Sequence, residues 1–165
     1  MKKISALLLA LSLCVGMLAG CGSSATASSD HEFTVGICQL MVHDALDSAT
    51  QGFIDALTEK VEAAGYTVKI DSQVAGDQAL CTTVINTFTA KKVDLIMANA
   101  TPALLAAANA TTTIPVLGTS VTDYADTFAG NIPANVSGTS DAVPFDEQAK
   151  MMIDTLNLVP GDQVG

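Results

Sequence analysis

The chain has 165 residues, of which 49% are hydrophobic, 4% aromatic and 15% charged, and its formal net charge is −10. This apolar content excludes a disordered chain, and the length is sufficient for one ordinary domain with a hydrophobic core. The acidity and the absence of arginine argue against nucleic acids and anionic membrane surfaces as partners.

The first 21 residues have the pattern of an export signal. Lys2 and Lys3 precede an apolar stretch over residues 4–18, which is too short to span a bilayer comfortably, and the sequence LAGC ends at Cys21. This order resembles bacterial lipoprotein signals, in which the chain is cut before the cysteine and the cysteine carries lipid. The resemblance implies a signal peptide over residues 1–20, lipidation of Cys21, and a location outside the cytoplasm with a lipid anchor in the cell membrane. A plain cleaved signal peptide is the alternative.

The tether and the elements that follow it can be predicted from composition and periodicity. Residues 21–31 are small and polar after the cysteine, which predicts a flexible tether. Beyond it, short apolar runs alternate with longer segments of helical spacing. The predicted strands are 33–38, 66–71, 93–98 and 114–118, and the predicted helices are 44–64 (starting at Asp44 or Asp47), one opening at Gly76-Asp77, and 101–110. Thr101 is predicted as the N-cap of the last of these, with Pro102 as its first residue.

The last part of the chain follows a polar loop over residues 119–135. Val136 begins a short fifth strand, and residues 145–158 form an amphipathic helix. Its inward face is predicted to contain Ala149, Met152, Ile153 and Leu156. Alternating strands and helices predict an α/β fold with a doubly wound parallel sheet and helices on both faces.

Two cysteines, Cys38 and Cys81, follow the lipidation site. An exported pair can form a disulfide, but two buried thiols are the favoured interpretation. The chain has neither a CxxC motif nor a Cys/His cluster, so neither a metal site nor a cofactor is predicted.

The candidate site residues lie in the loops after the first, third and fourth strands, because doubly wound sheets bind ligands at the carboxyl ends of their strands. Each candidate also has a structural interpretation: Thr101 as a helix cap, His43 as a surface or packing residue, and Asp123 as a turn residue. The candidates in these loops are Gln39, His43, Thr101, Thr119, Ser120 and Asp123.

Several sequence blocks carry a resemblance to a known family. In chain order they read QLMVHDALDSATQGFIDAL, GDQA, VDLIMANATPALLAAANAT with IPVLGTSVTD, and VSGTSDAVPFDEQ. They are similar to ABC transporter solute-binding lipoproteins, in the group that includes tryptophan- and aromatic-amino-acid-binding members. The resemblance begins at about Phe33. One departure is Tyr124, where family members often have proline, and it bears on the identity of the ligand more than on the fold.

The resemblance implies a type I periplasmic-binding fold, in which two α/β lobes close on a small ligand. Residues 32–135 would form the N-terminal lobe. Residues 136–165 would form the hinge crossing and the first helix of a second lobe that the chain contains only in part. The implied partners are an ABC permease and its ATPase, and the implied state is a monomer without a cofactor.

The implied ligand is an amino acid, with an aromatic one favoured by the resemblance alone. A zwitterion needs hydrogen-bond donors for its carboxylate and acceptors for its ammonium. By their positions, Thr101 and Thr119 or Ser120 are assigned to the carboxylate, and Asp123 or Asp141 to the ammonium. Gln39 and His43 are assigned to the border of the side-chain pocket.

Two alternatives to an importer component are an enzyme and a ligand-sensing surface protein. His43 beside Asp44 or Asp47 is compatible with acid–base chemistry, and Ser120 with a nucleophile. However, the sequence contains no GxSxG, Walker, GxGxxG or HExxH motif, so the prediction is that the protein is not an enzyme.

Overall fold

The computed structural model describes residues 32–162. The predicted signal peptide, Cys21, the predicted tether and residues 163–165 lie outside the described residues. The five strands are β1 (Glu32–Gln39), β2 (Thr67–Val74), β3 (Leu95–Asn99), β4 (Val116–Val121) and β5 (Val136–Ser140). The five helices are α1 (Asp44–Ala63), α2 (Gln78–Lys91), α3 (Thr101–Ala110), α4 (Tyr124–Thr127) and α5 (Phe145–Leu156). Within this range no helix is long and apolar enough to cross a membrane.

The strands form one sheet in the order β2-β1-β3-β4-β5, and every neighbouring pair is parallel. This arrangement confirms the predicted α/β fold with a doubly wound parallel sheet. Strand β4 extends through Val121, so the first residues of the predicted polar loop belong to the sheet. Two of the candidate site residues, Thr119 and Ser120, therefore lie within β4.

Helices cover both faces of the sheet, because a parallel sheet has to bury both of its faces. On one face α1 packs on β2, β1 and β3. That contact contains Val35, Ile37, Met97, Phe53, Ile54 and Leu57. On the other face α2 and α3 pack over β1, β3 and β4. The buried residues there include Cys81, Ile85, Phe88, Leu104, Ile96 and Val116.

The helix starts differ in detail from the sequence prediction. The cap of α1 is His43, whose Nδ1 accepts a hydrogen bond of 3.2 Å from the backbone N–H of Ala45. Asp77 caps α2 as predicted, and its carboxylate accepts from the N–H of Leu80 at 2.8 Å. Leu80 itself, which the helical spacing placed on the apolar face, is 48% exposed. Cys81 occupies the buried position instead.

The prediction that Thr101 caps α3 was wrong. The N-cap is Ala100, with φ 90° and ψ 154°, and no side chain caps this helix. The N–H of Ala100 donates to the carbonyl of Thr119 at 3.0 Å, which turns the chain one residue earlier than expected. Thr101 is therefore the first helical residue and Pro102 the second.

Helix α5 forms as predicted, but its expected inward face is exposed. Ala149, Met152, Ile153 and Leu156 are all exposed, and no residue of α5 is buried. The amphipathic spacing predicts the helix and its apolar face correctly, whereas it contains no information about what packs against that face. Among residues 32–162, no element covers it.

Cys38 and Cys81 are both free and fully buried, which confirms the interpretation as two buried thiols. Burial raises the pKa of Cys38 to about 12, and the neighbouring Cys81 adds to this shift. Burial also raises the pKa of Cys81. Both groups are therefore in the thiol form near neutral pH.

Candidate functional site

The parallel register brings three of the candidate loops to the same edge of the sheet, called here the carboxyl edge. Gln39 at the end of β1 is opposite Asn99 of β3, and Asn99 is opposite Thr119 of β4. Two backbone hydrogen bonds extend this pairing into the loops: Leu40 N–H donates to Asn99 O at 3.2 Å, and Ala100 N–H donates to Thr119 O at 3.0 Å. The loops that follow β1, β3 and β4 are therefore neighbours.

A buried polar network, consisting of Gln39, Thr50 and Asn99, lies beneath this edge. The three residues are 2%, 8% and 0% exposed. Asn99 Nδ2 donates to the Thr50 hydroxyl at 2.9 Å and to the carbonyl of Leu46 at 2.8 Å. The Thr50 hydroxyl donates in turn to Gln39 Oε1 at 2.6 Å. Asn99 Oδ1 is buried and has no hydrogen-bond partner among the described residues.

Both N–H donors of the Gln39 side chain are used within the protein. Its Nε2 donates to the carbonyl of Met41 at 2.8 Å and to Asp47 Oδ1 at 2.5 Å, while its Oε1 accepts from Thr50. A ligand that accepts a hydrogen bond from this amide would have to replace one of the two donated bonds. The ligand role assigned to Gln39 stays a prediction, and the structure shows a side chain that fixes the start of α1.

Thr119 and Ser120 lie at an irregularity between β4 and β5. Gly118 pairs with Gly138, whereas Val121 pairs with Ser140, so β4 contains one residue more than β5 over this interval. The Thr119 hydroxyl lies 3.2 Å from that of Thr139. Bulges of this kind are common beside functional sites because they redirect side chains.

Two residues in these neighbouring loops have backbone conformations that side chains disfavour. Ser120 has φ 56°, and Ala100 has φ 90° with ψ 154°, a region used almost only by glycine. Such strain persists where the surrounding structure fixes the chain, and it is found most often at ligand sites.

An open groove of about 440 Å³ runs along the sheet face beside α1. Its floor is apolar, and hydroxyl groups of β4 and β5 lie at its rim near the carboxyl edge. It is lined by Ala49, Phe53, Met97, Leu117, Gly118, Thr119, Ser137, Gly138 and Thr139.

The two candidate aspartates differ in their surroundings. Asp123 caps the short helix α4, because its Oδ1 accepts from the N–H of Asp126 at 2.9 Å. Asp141 follows β5, and its N–H donates to the carbonyl of Val121 at 3.1 Å. In the described part of the chain, the carboxylate of Asp141 makes no hydrogen bond. Asp141 therefore lies beside the β4 loop with its charge available.

Tyr124 belongs to this region, although sequence reasoning noted it only as a departure from the family. Its hydroxyl donates to the carbonyl of Thr139 at 3.4 Å. Desolvation raises the pKa of Tyr124, and the negative charge of Asp141 raises it further. No motif in the sequence signalled this pairing, because the two residues meet only when β5 pairs with β4.

The structure brings some of the candidate residues together and leaves others apart. Thr119, Ser120 and Thr101 are close through the Ala100–Thr119 hydrogen bond. His43 is exposed at the start of α1, and no hydrogen bond within residues 32–162 joins it to those three residues. The ligand assignments of all seven residues stay predictions.

The electrostatics of the carboxyl edge favour a cationic group. The loops there contain aspartates, whereas residues 40–43, 119–123 and 141–144 contain no lysine. Lys60, Lys91 and Lys92 lie at helix carboxyl ends, at the opposite edge of the sheet. An anionic group at the carboxyl edge would have to be held by hydroxyl and backbone N–H groups. No group of three or more metal-ligating side chains occurs in the range that the structure describes.

Comparisons with known proteins agree with this fold. A protein-family model described as ABC transporter substrate binding protein matches residues 34–160. A tyrosine-binding protein from Clostridioides difficile (strain R20291) is 38% identical over 167 residues, which cover 92% of this chain and 48% of that protein. The chain thus spans about half the length of this curated relative.

Two solved structures have folds similar to that of this chain. The first is a ligand-free, open substrate-binding protein with adhesive properties from Clostridium difficile, with a TM-score of 0.66, 38% identity, and coverage of 73% of this chain and 42% of that one. The second is an ABC domain from Streptococcus pneumoniae in complex with L-Trp, with a TM-score of 0.63, 27% identity, and coverage of 74% and 43%.

Proposed function

Since this chain belongs to the ABC transporter substrate-binding protein family, we propose that it binds an amino acid, with an aromatic one favoured, for delivery to an ABC importer. The observation that carries this proposal is the carboxyl edge itself, where adjacent loops present hydroxyls, helix N–H groups and aspartates without a lysine. The names of two relatives, which refer to tyrosine and L-Trp, support an aromatic side chain. Proteins of this family are extracytoplasmic and are not enzymes.

The ligand carboxylate would be held between β4 and the start of α3. The hydroxyls of Thr119 and Ser120 supply two donors at the bulge. Helix α3 has no side-chain cap, and Pro102 has no N–H, so the backbone N–H groups of Thr101 and Ala103 in its first turn are the ones available to an anion. Because no cationic side chain lies in these loops, neutral donors have to carry this contact.

The ligand ammonium would be paired with an aspartate. Asp141 is the favoured partner because its carboxylate is available, whereas Asp123 already uses Oδ1 to cap α4. A cation that loses water on binding needs such a charged acceptor, since an unpaired buried charge is costly. His43 and Gln39 would border the side chain of the ligand.

The proposed domain organisation assigns residues 32–135 to a first lobe, and residues 136–165 to the hinge crossing and the start of a second lobe. The exposed apolar face of α5 supports this division, because a helix of that kind normally packs against other elements. Closure of two lobes would bury the ligand and form the surface that a permease and its ATPase recognise. Lipidation of Cys21 would anchor the monomer to the membrane.

The proposal can be tested by comparing amino acids with analogues that lack one of the two charged groups. The ¹⁵N-labelled chain is titrated with L-tyrosine, L-tryptophan, L-leucine, tyramine, which lacks the carboxylate, and 3-(4-hydroxyphenyl)propionate, which lacks the ammonium. We expect the aromatic amino acids to shift the amide signals of Thr101, Thr119 and Ser120, and both truncated analogues to bind at least about ten-fold more weakly. Affinities should be low, since residues 1–165 span only about half the length of the curated relative.

Two results would contradict the proposal. Equal binding of tyramine and L-tyrosine would show that the carboxylate is not recognised. Chemical conversion of the amino acid during incubation, detected by mass spectrometry, would indicate an enzyme, because a binding protein releases its ligand unchanged.

A further inference from the structure

The buried polar network occupies positions where the sheet otherwise has apolar side chains. Val35 and Ile37 precede Gln39 on the same face of β1, and Met97 precedes Asn99 on the same face of β3. An apolar residue in place of Gln39 or Asn99 would continue the apolar contact with α1. Buried polar groups are costly unless they are hydrogen-bonded, so their geometry fixes a particular arrangement.

We propose that Asn99, Thr50 and Gln39 are positioning residues, which hold the loop over residues 40–43 in place at the carboxyl edge. The inference deepens the proposed function, because this loop contains His43 and would form one border of the ligand site. None of the three side chains needs to touch the ligand for this role.

The Thr50 hydroxyl is the centre of the network because it is both an acceptor and a donor. It accepts from Asn99 Nδ2 at 2.9 Å and donates to Gln39 Oε1 at 2.6 Å. One hydroxyl on α1 thus joins β1 to β3. It also orients the Gln39 amide, whose oxygen has to face Thr50 and whose nitrogen has to face the loop.

The network reaches the loop from both of its ends. From β1, Gln39 Nε2 donates to the carbonyl of Met41, inside the loop, and to Asp47 in the first turn of α1. From β3, Asn99 Nδ2 donates to the carbonyl of Leu46. The segment that contains His43 is therefore held at both ends by hydrogen bonds from Gln39 and Asn99. The Thr50 hydroxyl joins these two side chains to each other.

The test uses two replacements of Thr50 in the intact chain. Thr50→Val keeps the β-branched shape and removes the hydroxyl, whereas Thr50→Ser keeps the hydroxyl and removes a methyl group. Amide hydrogen exchange of Leu40, Ala45 and Asp47 is the readout, because their N–H groups bond to Asn99 and His43 and are released when the loop opens, without any ligand. We expect exchange to be about ten-fold faster or more in Thr50→Val and within about two-fold of the unmodified chain in Thr50→Ser.

A matched control and a second pair of variants keep the test decisive. Thr87→Val removes a hydroxyl that bonds only to the carbonyl of Thr83 on the surface of α2, and it should not change the loop. If Thr50→Val does not fold, Asp47→Ala and Asp47→Asn replace it. Asp47 is exposed, and only the asparagine keeps an acceptor for Gln39. Alanine should speed up loop exchange and asparagine should not.

Equal loop exchange in the valine and serine variants, or in the alanine and asparagine variants, would overturn the positioning role. That result does not depend on any ligand. Conversely, if the unmodified chain binds no amino acid while Thr50→Val loosens the loop, the proposed function fails and the positioning role stands.

Discussion

Gly118 and Gly138 are register partners on β4 and β5, and the hydroxyl of Tyr124 occupies the space that a side chain on either glycine would need. Gly138 also has φ +155°, and a Cβ there would collide with the backbone of Gly118. A Cβ at Gly138 would therefore prevent the close approach of these two strands, whereas a Cβ at Gly118 would require the side chains of Tyr124 and Leu104 to move. The close approach brings β5, the proposed hinge strand, against the bulge that contains Thr119 and Ser120.

Replacing the two glycines should destabilise the protein to different extents. Gly138→Ala combines an unfavourable backbone conformation with a backbone collision, so we expect a loss of about 3 kcal/mol or more in the free energy of unfolding. Gly118→Ala meets only side chains, those of Tyr124 and Leu104, and should cost about 1–3 kcal/mol. Urea denaturation followed by circular dichroism measures both values.

Tyr124→Phe serves as the control for that interpretation. Removing the hydroxyl should recover part of the stability lost in Gly118→Ala, because it removes one of the two collisions. It should recover little in Gly138→Ala, where the backbone of Gly118 remains in the way. Equal recovery in both backgrounds would show that the backbone collision is not the main cause.

The pKa of Tyr124 should be measurably raised in the folded protein, first by desolvation and then by the charge of Asp141. The chain has two tyrosines, so Tyr66→Phe leaves Tyr124 as the only phenol, and its ionisation can be followed by ultraviolet absorbance. Asp141→Asn should lower the pKa towards the ordinary value without reaching it, because desolvation remains. Asp146→Asn is the distant control.

The sign of the stability effect follows from the direction of the shift. Because the folded-state pKa of Tyr124 lies above its ordinary value of 10.0, the folded state retains the proton more strongly. The contribution to stability is complete below that value and decreases as the pH rises through the folded-state pKa. A Tyr124 titration identical in the folded and urea-unfolded protein would contradict this.

The fold was predictable because strands and helices alternate in sequence with clear periodicities. What the periodicity could not give is the environment of each face. Leu80 and Ile153 both fit an apolar stripe, yet both are exposed, because the spacing defines a face and contains no information about its partner. The cap of α3 was misplaced because a hydrogen bond to a distant residue, Thr119, decided where the chain turns.

The site was predictable as a set of loops but not as a set of contacts. Parallel topology alone puts Gln39 and Thr119 at one edge, and the structure shows this. Thr50 and Asn99 were missed, since Thr50 looks like an ordinary helical residue and Asn99 was placed in the loop after the third strand without a role. Their importance depends on a contact between residues 49 positions apart, which no local pattern records.

Relieving the backbone strain at Ala100 should stabilise the protein. The conformation of Ala100 is one that glycine adopts readily, and strain of this type costs about 1–3 kcal/mol. The greater freedom of glycine in the unfolded chain offsets part of the gain. We therefore expect Ala100→Gly to raise the free energy of unfolding by about 1 kcal/mol, measured by urea denaturation. Ala106→Gly in the middle of α3 is the control and should lower it; a loss at both positions would show that Ala100 is not strained.

The buried thiols should be unreactive in the native protein at neutral pH. With Cys14 and Cys21 replaced by serine, Ellman's reagent should detect Cys38 and Cys81 only after denaturation, because the burial that raises the pKa of Cys38 to about 12 also blocks access. Above the ordinary value of 9.0, the unfolded state loses these protons first, so stability should fall as the pH rises towards 12. An added Thr83→Cys, at an exposed helical position, is the reactive control. Rapid reaction of two thiols without it would contradict the burial.

Thr119 should contribute to the recognition of the ligand carboxylate through its hydroxyl. Thr119→Val keeps the shape and removes the donor, so we expect it to weaken the binding of L-tyrosine about ten-fold, as the loss of one hydrogen bond to a charged group implies. Thr119→Ser should bind nearly as the unmodified chain does. Tyramine has no carboxylate, so its affinity should be the same for the unmodified chain, Thr119→Val and Thr119→Ser. NMR titration measures these affinities. If valine weakened tyramine as much as L-tyrosine, the hydroxyl would act through Thr139, 3.2 Å away, by shaping the bulge and not by contacting the carboxylate.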